Sequence, residues 1–514
     1  MRHLFPLFIV LSCLLAFLPG CEPKEDLVQT SGSLEFRSEF RTDTVLFDTV
    51  FTTIKTVTKR LWVYNRNGGA VKTDINLAGI AGTAFSVVIN GDARPSAQGV
   101  TIRGKDSLLV LVRAVVGDNG QATSPKQFLV TDELRFRTNG TDQNVKLVAY
   151  GQNAYFHRAD IIRTNTTWAT DKPHVIINSP YVSQGKTYTV GVVVAQGVTL
   201  RIPKGARIYS HAGAYLQVDG TLLVNDLTEP AAFVPTDTVK ATNANIVRFQ
   251  ADRLEPYYAE APGQWGGIVF TETSKNNRIR YAEIKNATFG ALLISPESIT
   301  LPHPSLTIEN SVIRNISGAK LSFANTTAAS GGGIISYSGS VTANNCLFTN
   351  CGEFAVLGVG GGVYNLNFCT IANYSPAFLR ETASLTFSNE SPYNPQVKLP
   401  LTLNLQNSIV WGSFEDELQV INYADYATTL SIRNSLLRTK LYATTPSVVG
   451  TAGVNLLNVD PAFKRTSFVD PDYTLQDKSP ATTPRRTPVA PVLAKDLRNL
   501  PRPSQPSLGA YEHK

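Results

Sequence analysis

Leu306-Thr307-Ile308-Glu309-Asn310-Ser311-Val312-Ile313 is an octet of the form apolar-x-apolar-x-Asn-x-apolar-apolar, and the chain repeats it. It returns as Val341-x-Ala343-x-Asn345-Cys346-Leu347-Phe348, Leu403-x-Leu405-x-Asn407-Ser408-Ile409-Val410 and Leu430-x-Ile432-x-Asn434-Ser435-Leu436-Leu437. Tyr364-x-Leu366-x-Phe368-Cys369-Thr370-Ile371 is a fourth return, with Phe in the Asn column and Thr at one apolar position; a weaker copy ends at Ile284-Lys285-Asn286. Successive copies are offset by 35, 23, 39 and 27 residues. The shortest offset is one bare coil, and the others are a coil plus a loop insertion. Strands this short, recurring without hairpin signals, fit a solenoid in which like positions stack about 4.8 Å apart. The aliphatic positions then face inward, and the Asn side chains sit at a bend where they can bond along the stack. Asn310, Asn345, Asn407 and Asn434 are therefore expected to be structural ladder residues and not a site. Cys346 and Cys369 fall in the column that otherwise holds Ser311, Ser408 and Ser435. Two small buried thiols, or a disulfide between adjacent rungs, both suit that column.

Upstream, Gly197 to Tyr209 and Tyr215 to Val224 have the same texture of short strands closed by Gly and Asp turns. Further toward the N-terminus the texture changes. Thr44–Phe47, Arg60–Tyr64, Phe85–Ile89, Ser107–Val112 and Val145–Tyr150 alternate in the manner of half-buried strands. Asn67-Gly68-Gly69, Asn90-Gly91-Asp92 and Asn139-Gly140 are turn signals between them. About seven strands in this region predict an immunoglobulin-like β-sandwich, with a β-barrel as the alternative. The expected organisation is an all-β chain: a leader over 1–20, a tether over 21–32, the sandwich over 33–156, a linker over 157–172, a right-handed parallel β-helix over 173–457 and its C-terminal segment or cap over 458–514.

The 514 residues carry 47 basic and 40 acidic side chains, a formal +7 spread along the chain, which is too diffuse to argue for nucleic acid. Charged residues make up 17%, against roughly 25% in an average soluble protein. The first twenty residues have a basic start at Arg2 and an apolar run from Leu4 to Leu18, the length of a secretory h-region. Leu18-Pro19-Gly20-Cys21 follows, and it resembles the lipobox of bacterial lipoproteins, which makes Cys21 the expected lipidation residue. The acidic cluster after it, Glu22-Pro23-Lys24-Glu25-Asp26, resembles the export tag of surface lipoproteins in glycan-foraging Gram-negative bacteria. No other stretch is long and apolar enough to span a membrane as a helix.

The C-terminus runs through Asn458-Val459-Asp460-Pro461-Ala462-Phe463, Asp472-Tyr473-x-Leu475, Ser479-Pro480-Ala481, Leu497-x-x-x-Pro501-Arg502-Pro503 and Leu508-Gly509-Ala510-Tyr511-Glu512. In that order, and together with the coils, these segments resemble the pectin-lyase-like right-handed β-helix proteins of bacterial surfaces. Thr482-Thr483-Pro484-Arg485-Arg486 departs from the family's usual continuation after Ser479-Pro480-Ala481. The resemblance implies a surface solenoid, and among its enzymes cleavage of polysaccharides by carboxylate-bound Ca²⁺ with a basic residue, or by paired carboxylic acids.

The sequence offers no such constellation on its coils, so no catalytic residue, metal-ligand set or cofactor is assigned. The histidines fall outside the clearest repeats, and Lys285 and Arg314, without an Asp cluster beside them, are expected to be solvated. Glu415-Asp416-Glu417 is the best acidic group, but three consecutive residues cannot all face one ion from a strand, and a solvated loop is expected. Aromatic side chains on insertions are the stronger candidates for sugar contact. These are Tyr257 and Tyr258, followed by Trp265, in one loop; Tyr374, Phe378, Phe387 and Tyr393 in the longest offset; and Trp411 and Phe414 beside the acidic group. Packing of the same rings onto their own coils is the competing expectation. The function expected is that of an outer-membrane lipoprotein, anchored by its N-terminal lipid and facing the cell exterior. As a monomer, it would bind a polysaccharide or another envelope component without catalysis. A polysaccharide lyase or glycoside hydrolase of this fold is the alternative, and a structural or adhesive solenoid with a protein partner is a second.

Overall fold

The computed structural model describes residues 32–513 except 40, 42, 83, 118–128, 227–242, 296–302, 319, 322–328, 375–379, 393, 468–469 and 483–486. The expected leader, Cys21 and almost all of the tether lie outside the described residues, as do Phe378 and Tyr393. The chain divides into two compact units, 1–153 and 154–514.

Among its described residues the first unit has nine strands: β1 (Glu35–Arg37), β2 (Thr44–Phe51), β3 (Lys59–Tyr64), β4 (Val71–Leu77), β5 (Phe85–Ile89), β6 (Ser96–Ile102), β7 (Ser107–Ala114), β8 (Leu129–Thr138) and β9 (Thr141–Gln152). They form a four-stranded sheet ordered β1-β3-β7-β5 and a five-stranded sheet ordered β2-β9-β8-β4-β6. All pairings are antiparallel except β2 with β9. Inward residues of both sheets, such as Leu61, Val63, Val110, Phe136 and Leu147, share one core. Ring pairs join the sheets across it, Phe36 with Phe136 at 4.8 Å and Phe47 with Phe85 at 6.0 Å. The unit is thus a two-sheet sandwich. The Asn139-Gly140 signal is realised as the two-residue turn of the β8–β9 hairpin, with both φ angles positive at 49° and 82°.

The second unit is a parallel β-helix whose described residues form three parallel sheets of eleven, nine and nine strands, to which successive strands of the chain contribute in turn. The first sheet runs from Tyr155–Arg158 to Leu456–Leu457, the second from Asp160–Ile162 to Leu418–Ile421, and the third from Thr166–Thr167 to Thr428–Arg433. The expected linker over 157–172 is therefore corrected: those residues already supply the first coil. Its strands are two to four residues long and carry no Asn octet, so periodicity alone did not mark them. The octet itself spans one corner. Leu306, Val341, Tyr364, Leu403 and Leu430 pair in register inside the third sheet. After the corner, Ile313, Phe348, Ile371, Val410 and Leu437 pair in register inside the first.

The corner residue needs a left-handed backbone. Asn225, Asn310, Asn345, Asn407 and Asn434 hold φ between 47° and 52°, a region Asn enters more readily than other side chains. Asn345 donates to Asn310 Oδ1 at 3.0 Å, and Asn434 to Asn407 Oδ1 at 2.8 Å. Where Phe368 interrupts the column, Asn407 donates instead to Asn367 at 2.8 Å. A second ladder occupies the next corner, with Asn315 donating to Asn286 at 3.3 Å and Asn350 to Asn315 at 2.7 Å. Cys346, Cys351 and Cys369 are reduced thiols buried in the solenoid, with no disulfide among them. Burial pushes the Cys351 thiol up to about 12.

From residue 458 the chain turns back and runs along the outside of the first sheet. Phe463, Tyr473, Leu475, Leu497, Leu508 and Tyr511 pack on the outward-facing Val312, Leu347, Ala372, Ile409 and Leu436, making a second, lateral core. The expected cap is in this respect a strap. Backbone carbonyls of the strap accept from the ladder: Lys495 from Asn345 at 2.7 Å, Pro491 from Asn367 at 2.9 Å and Val489 from Asn407 at 2.8 Å. Arg502 fills the interruption in the ladder. Its guanidinium stacks over Phe368 at 4.2 Å, donates to Asn345 Oδ1 at 2.9 Å and pairs with Glu512 at 3.2 Å.

Candidate functional site

The three sheets present different outer faces. The first is covered by the strap. The second carries a buried apolar cluster, Val269, Phe289, Leu292, Ile335 and Leu357, edged by half-buried Tyr215, Tyr337 and Phe354. On the third, Thr307, Thr342, Asn365, Asn404 and Ser431 pair in register on the outward side. All five are partly exposed. Asn404 donates to Asn365 at 2.8 Å and Asn365 to Thr342 Oγ1 at 3.3 Å, so this face is a regular array of uncharged hydrogen-bonding groups.

The loop leading to Trp265 stands out from the first sheet on a built support. Glu260 is its anchor: Arg314 grips the carboxylate, Lys285 Nζ lies 3.3 Å from Oε1, and Asn315 Nδ2 donates to Oε2 at 2.6 Å. Burial would raise the Glu260 pKa, but Arg314, Lys285 and Asn315 outweigh it and hold the carboxyl below its ordinary value. Glu283 then links Arg314 Nε at 2.7 Å to Arg248 Nε at 3.0 Å. Lys285 and Arg314 are thus not solvated as expected; their partners come from sequence-distant strands and loops. Gln264 and Asn286 donate to the loop carbonyls of Tyr258, Ala261 and Ala259 at 2.7–3.0 Å. Trp265 is fully buried and donates to Lys285 O at 2.8 Å, so it is a packing residue.

On this support a 3₁₀ turn, Pro256–Tyr258, carries the two tyrosines. Tyr257 is 83% exposed and meets the half-buried Tyr258 edge to face at 5.0 Å. Arg253 stacks over the Tyr258 ring at 3.6 Å, which leaves Tyr257 as the open ring of the pair.

The other candidates do not gather there. Trp411 is half-buried beside the lateral core, with the Arg438 guanidinium 5.3 Å from its ring. Phe414 is half-buried, with Arg380 at 5.9 Å. Phe387 packs inside the solenoid on Tyr364 at 4.8 Å, and Tyr374 stacks on Tyr473 of the strap at 6.3 Å. The acidic triplet splits three ways, and only Glu415 matches the expected solvated loop. Glu415 is exposed beside Lys440, and Asp416 accepts from the Lys440 and Leu441 amides at 2.7 and 2.6 Å. Glu417 and Arg380 form a fully buried pair at 2.5 Å, both side chains 0% exposed. Ser384 Oγ and the Phe414 amide also donate to Glu417, at 2.5 and 3.0 Å. Among the described residues no group of His, Cys, Asp and Glu converges as metal ligands.

A further tyrosine pair, with Tyr181 half-buried and Tyr188 exposed, is not marked by the aromatic spacing of the sequence. Ser179–Ser183 and Lys186–Val190 form a hairpin that sets Tyr181 directly opposite Tyr188. Its signal was Gln184-Gly185, which takes the double positive-φ turn at 50° and 73°.

No family model matches the chain, and no curated protein matches it. Among solved structures, a family 123 glycoside hydrolase from Clostridium perfringens, studied for glycolipid glycan hydrolysis, overlaps at 7% identity with a TM-score of 0.17. The overlap covers 27% of this chain and 31% of that one, less than a third of the hydrolase, and none of its chemistry is carried over to these residues.

Proposed function

We propose that this chain is a surface-exposed outer-membrane lipoprotein, anchored through acylated Cys21, whose solenoid binds glycan without transforming it. In this reading the sandwich is an immunoglobulin-like spacer, the solenoid is of the right-handed pectin-lyase-like kind, and the molecule works as a monomer. Tyr257 carries the proposal. An aromatic ring 83% exposed keeps an apolar face in water, and here it is held there by a loop whose anchor is fixed by ion pairs. Such a ring loses little conformational freedom when a sugar face stacks on it. The flat array from Thr307 to Ser431 supplies uncharged donors and acceptors on another face of the same solenoid.

A glycan array probed with the chain and with Tyr257→Ala tests this. Retention of one glycan class by the parent, lost about tenfold or more by the variant, supports the reading; a blank array for both overturns it. For the anchor, release of Cys21→Ala as soluble protein is the expected result, and unchanged membrane retention contradicts it.

A further inference from the structure

The first coil closes on a layer of rings where every later coil has mostly aliphatics. His174 follows Tyr155 in a column of the first sheet that continues as Ile208, Phe249, Ile284, Ile313 and Phe348. His157 lies beside it, and the Trp168 indole stacks on both imidazoles, at 4.7 Å from His157 and 4.3 Å from His174, tilted by only 17° and 8°. Tyr155 also stacks on His174, at 5.1 Å.

Hydrogen bonds string the imidazoles between two acceptors. His157 Nδ1 is 2.7 Å from Asp160 Oδ2, His157 Nε2 is 2.9 Å from His174 Nδ1, and His174 Nε2 is 2.8 Å from the Ala169 carbonyl. A carboxylate and a carbonyl only accept, so each outer nitrogen carries a proton, and the central contact requires a third. Two neutral imidazoles have two protons between them. The pair as built therefore holds one more, and a single positive charge opposite Asp160. The other charged groups near the layer are Asp171, which accepts from Tyr155 OH at 3.1 Å; Lys172, 5.6 Å above the Tyr155 ring; and Arg158, over Phe156 at 5.2 Å. The neighbouring strands oppose the pair with Ile176 and Ile208, which carry none.

We propose that His157 and His174 form a pH-sensitive latch on the first coil, in which one shared proton holds the N-terminal mouth of the solenoid shut. Losing that proton leaves two lone pairs facing each other across the central contact; adding a second places two cations there. Both push the rings apart. Above about pH 6.5 the unfolded histidines hold no proton while the latched pair holds one, so stability falls as pH rises. Below about pH 6.5 the unfolded histidines hold two and the latched pair still one, so stability falls as pH drops. That lower limb ends where His174, its pKa lowered by burial to about 4, takes up its proton. The result is a maximum near the ordinary histidine pKa.

Hydrogen exchange of the Tyr155–Trp168 amides in the full chain, corrected for intrinsic rates, reads this directly. Protection peaks near pH 6.5 and falls by up to about tenfold per pH unit on each side. In His174→Phe, a side chain its column already accommodates at Phe249 and Phe348, the peak disappears. A flat profile in the parent chain overturns the latch. Nitrogen-15 spectra of the imidazoles in the parent chain decide the matter even if the variant does not fold. Three protonated ring nitrogens on the pair near pH 6.5 are expected, and two refute the shared proton.

Discussion

The outer faces of the first and third sheets belong to the same coils, follow the same alternation and are separated by one asparagine corner, yet they meet opposite surroundings. Outward on the first sheet stand Val312, Leu347, Ile409 and Leu436, all buried beneath the strap. Outward on the third stand Thr307, Thr342, Asn404 and Ser431, all reached by water. Inward residues are apolar on both, so the solenoid core does not distinguish them. What differs is one side-chain position per coil. A strand buried on both faces reads as continuous apolar residues, and a strand with one wet face alternates. The octet contains both kinds in succession: apolar-x-apolar before the Asn, apolar-apolar after it.

The contrast can be broken first at Arg502. Its side chain is fully buried between the ladder and the strap, so Arg502→Ala leaves Glu512 without its counter-charge. A loss of about 3–5 kcal/mol in urea unfolding is expected. A loss under about 1 kcal/mol would mean that the strap is held elsewhere. Ile409→Ala, on the covered face, should cost about 2–4 kcal/mol in the same measurement because a cavity opens beneath the strap. At the corner between the faces, Asn434 holds φ 48° and donates to Asn407. Asn434→Ala combines a left-handed alanine with a lost hydrogen bond, about 2 kcal/mol, whereas Asn434→Gly keeps the backbone relaxed and should cost about half as much. Thr402, two residues before Asn404 and likewise half-exposed on the outward side of the third sheet, is on the open face, and Thr402→Ala should stay within about 0.5 kcal/mol. If Thr402→Ala and Ile409→Ala proved equally mild, the strap would not cover the first sheet.

The coils were legible because their constraint is local and repeated. Only a few side chains tolerate a left-handed corner, and an inward position must be apolar in every coil, so Asn and the aliphatics recur in fixed order. The strap's cover was also written in the doubled apolar residues Val312-Ile313, Leu347-Phe348 and Leu436-Leu437, although its source, far downstream and without a repeat, was not. The first coil reads as a linker because Asp160–Ile162 and Thr166–Thr167 are too short to show a period. The aromatic candidates fared unevenly for a related reason. Composition marks Tyr257, Trp411 and Phe387 alike, and only tertiary packing decides that the first stands in water, the second lies beside the lateral core and the third points into the solenoid. Glu260 carries no sequence signal because its grip on Arg314 spans 54 residues and has no signature in either segment.

The strap also sets a schedule. Asn345 receives its carbonyl partner from Lys495, 150 residues later. Until those later residues are in place, coils that have wound carry a bare apolar stripe on one side. Removing the segment from residue 495 onward would take away Arg502, Leu508 and Tyr511 and leave a surface suited to aggregation or to capture by a chaperone.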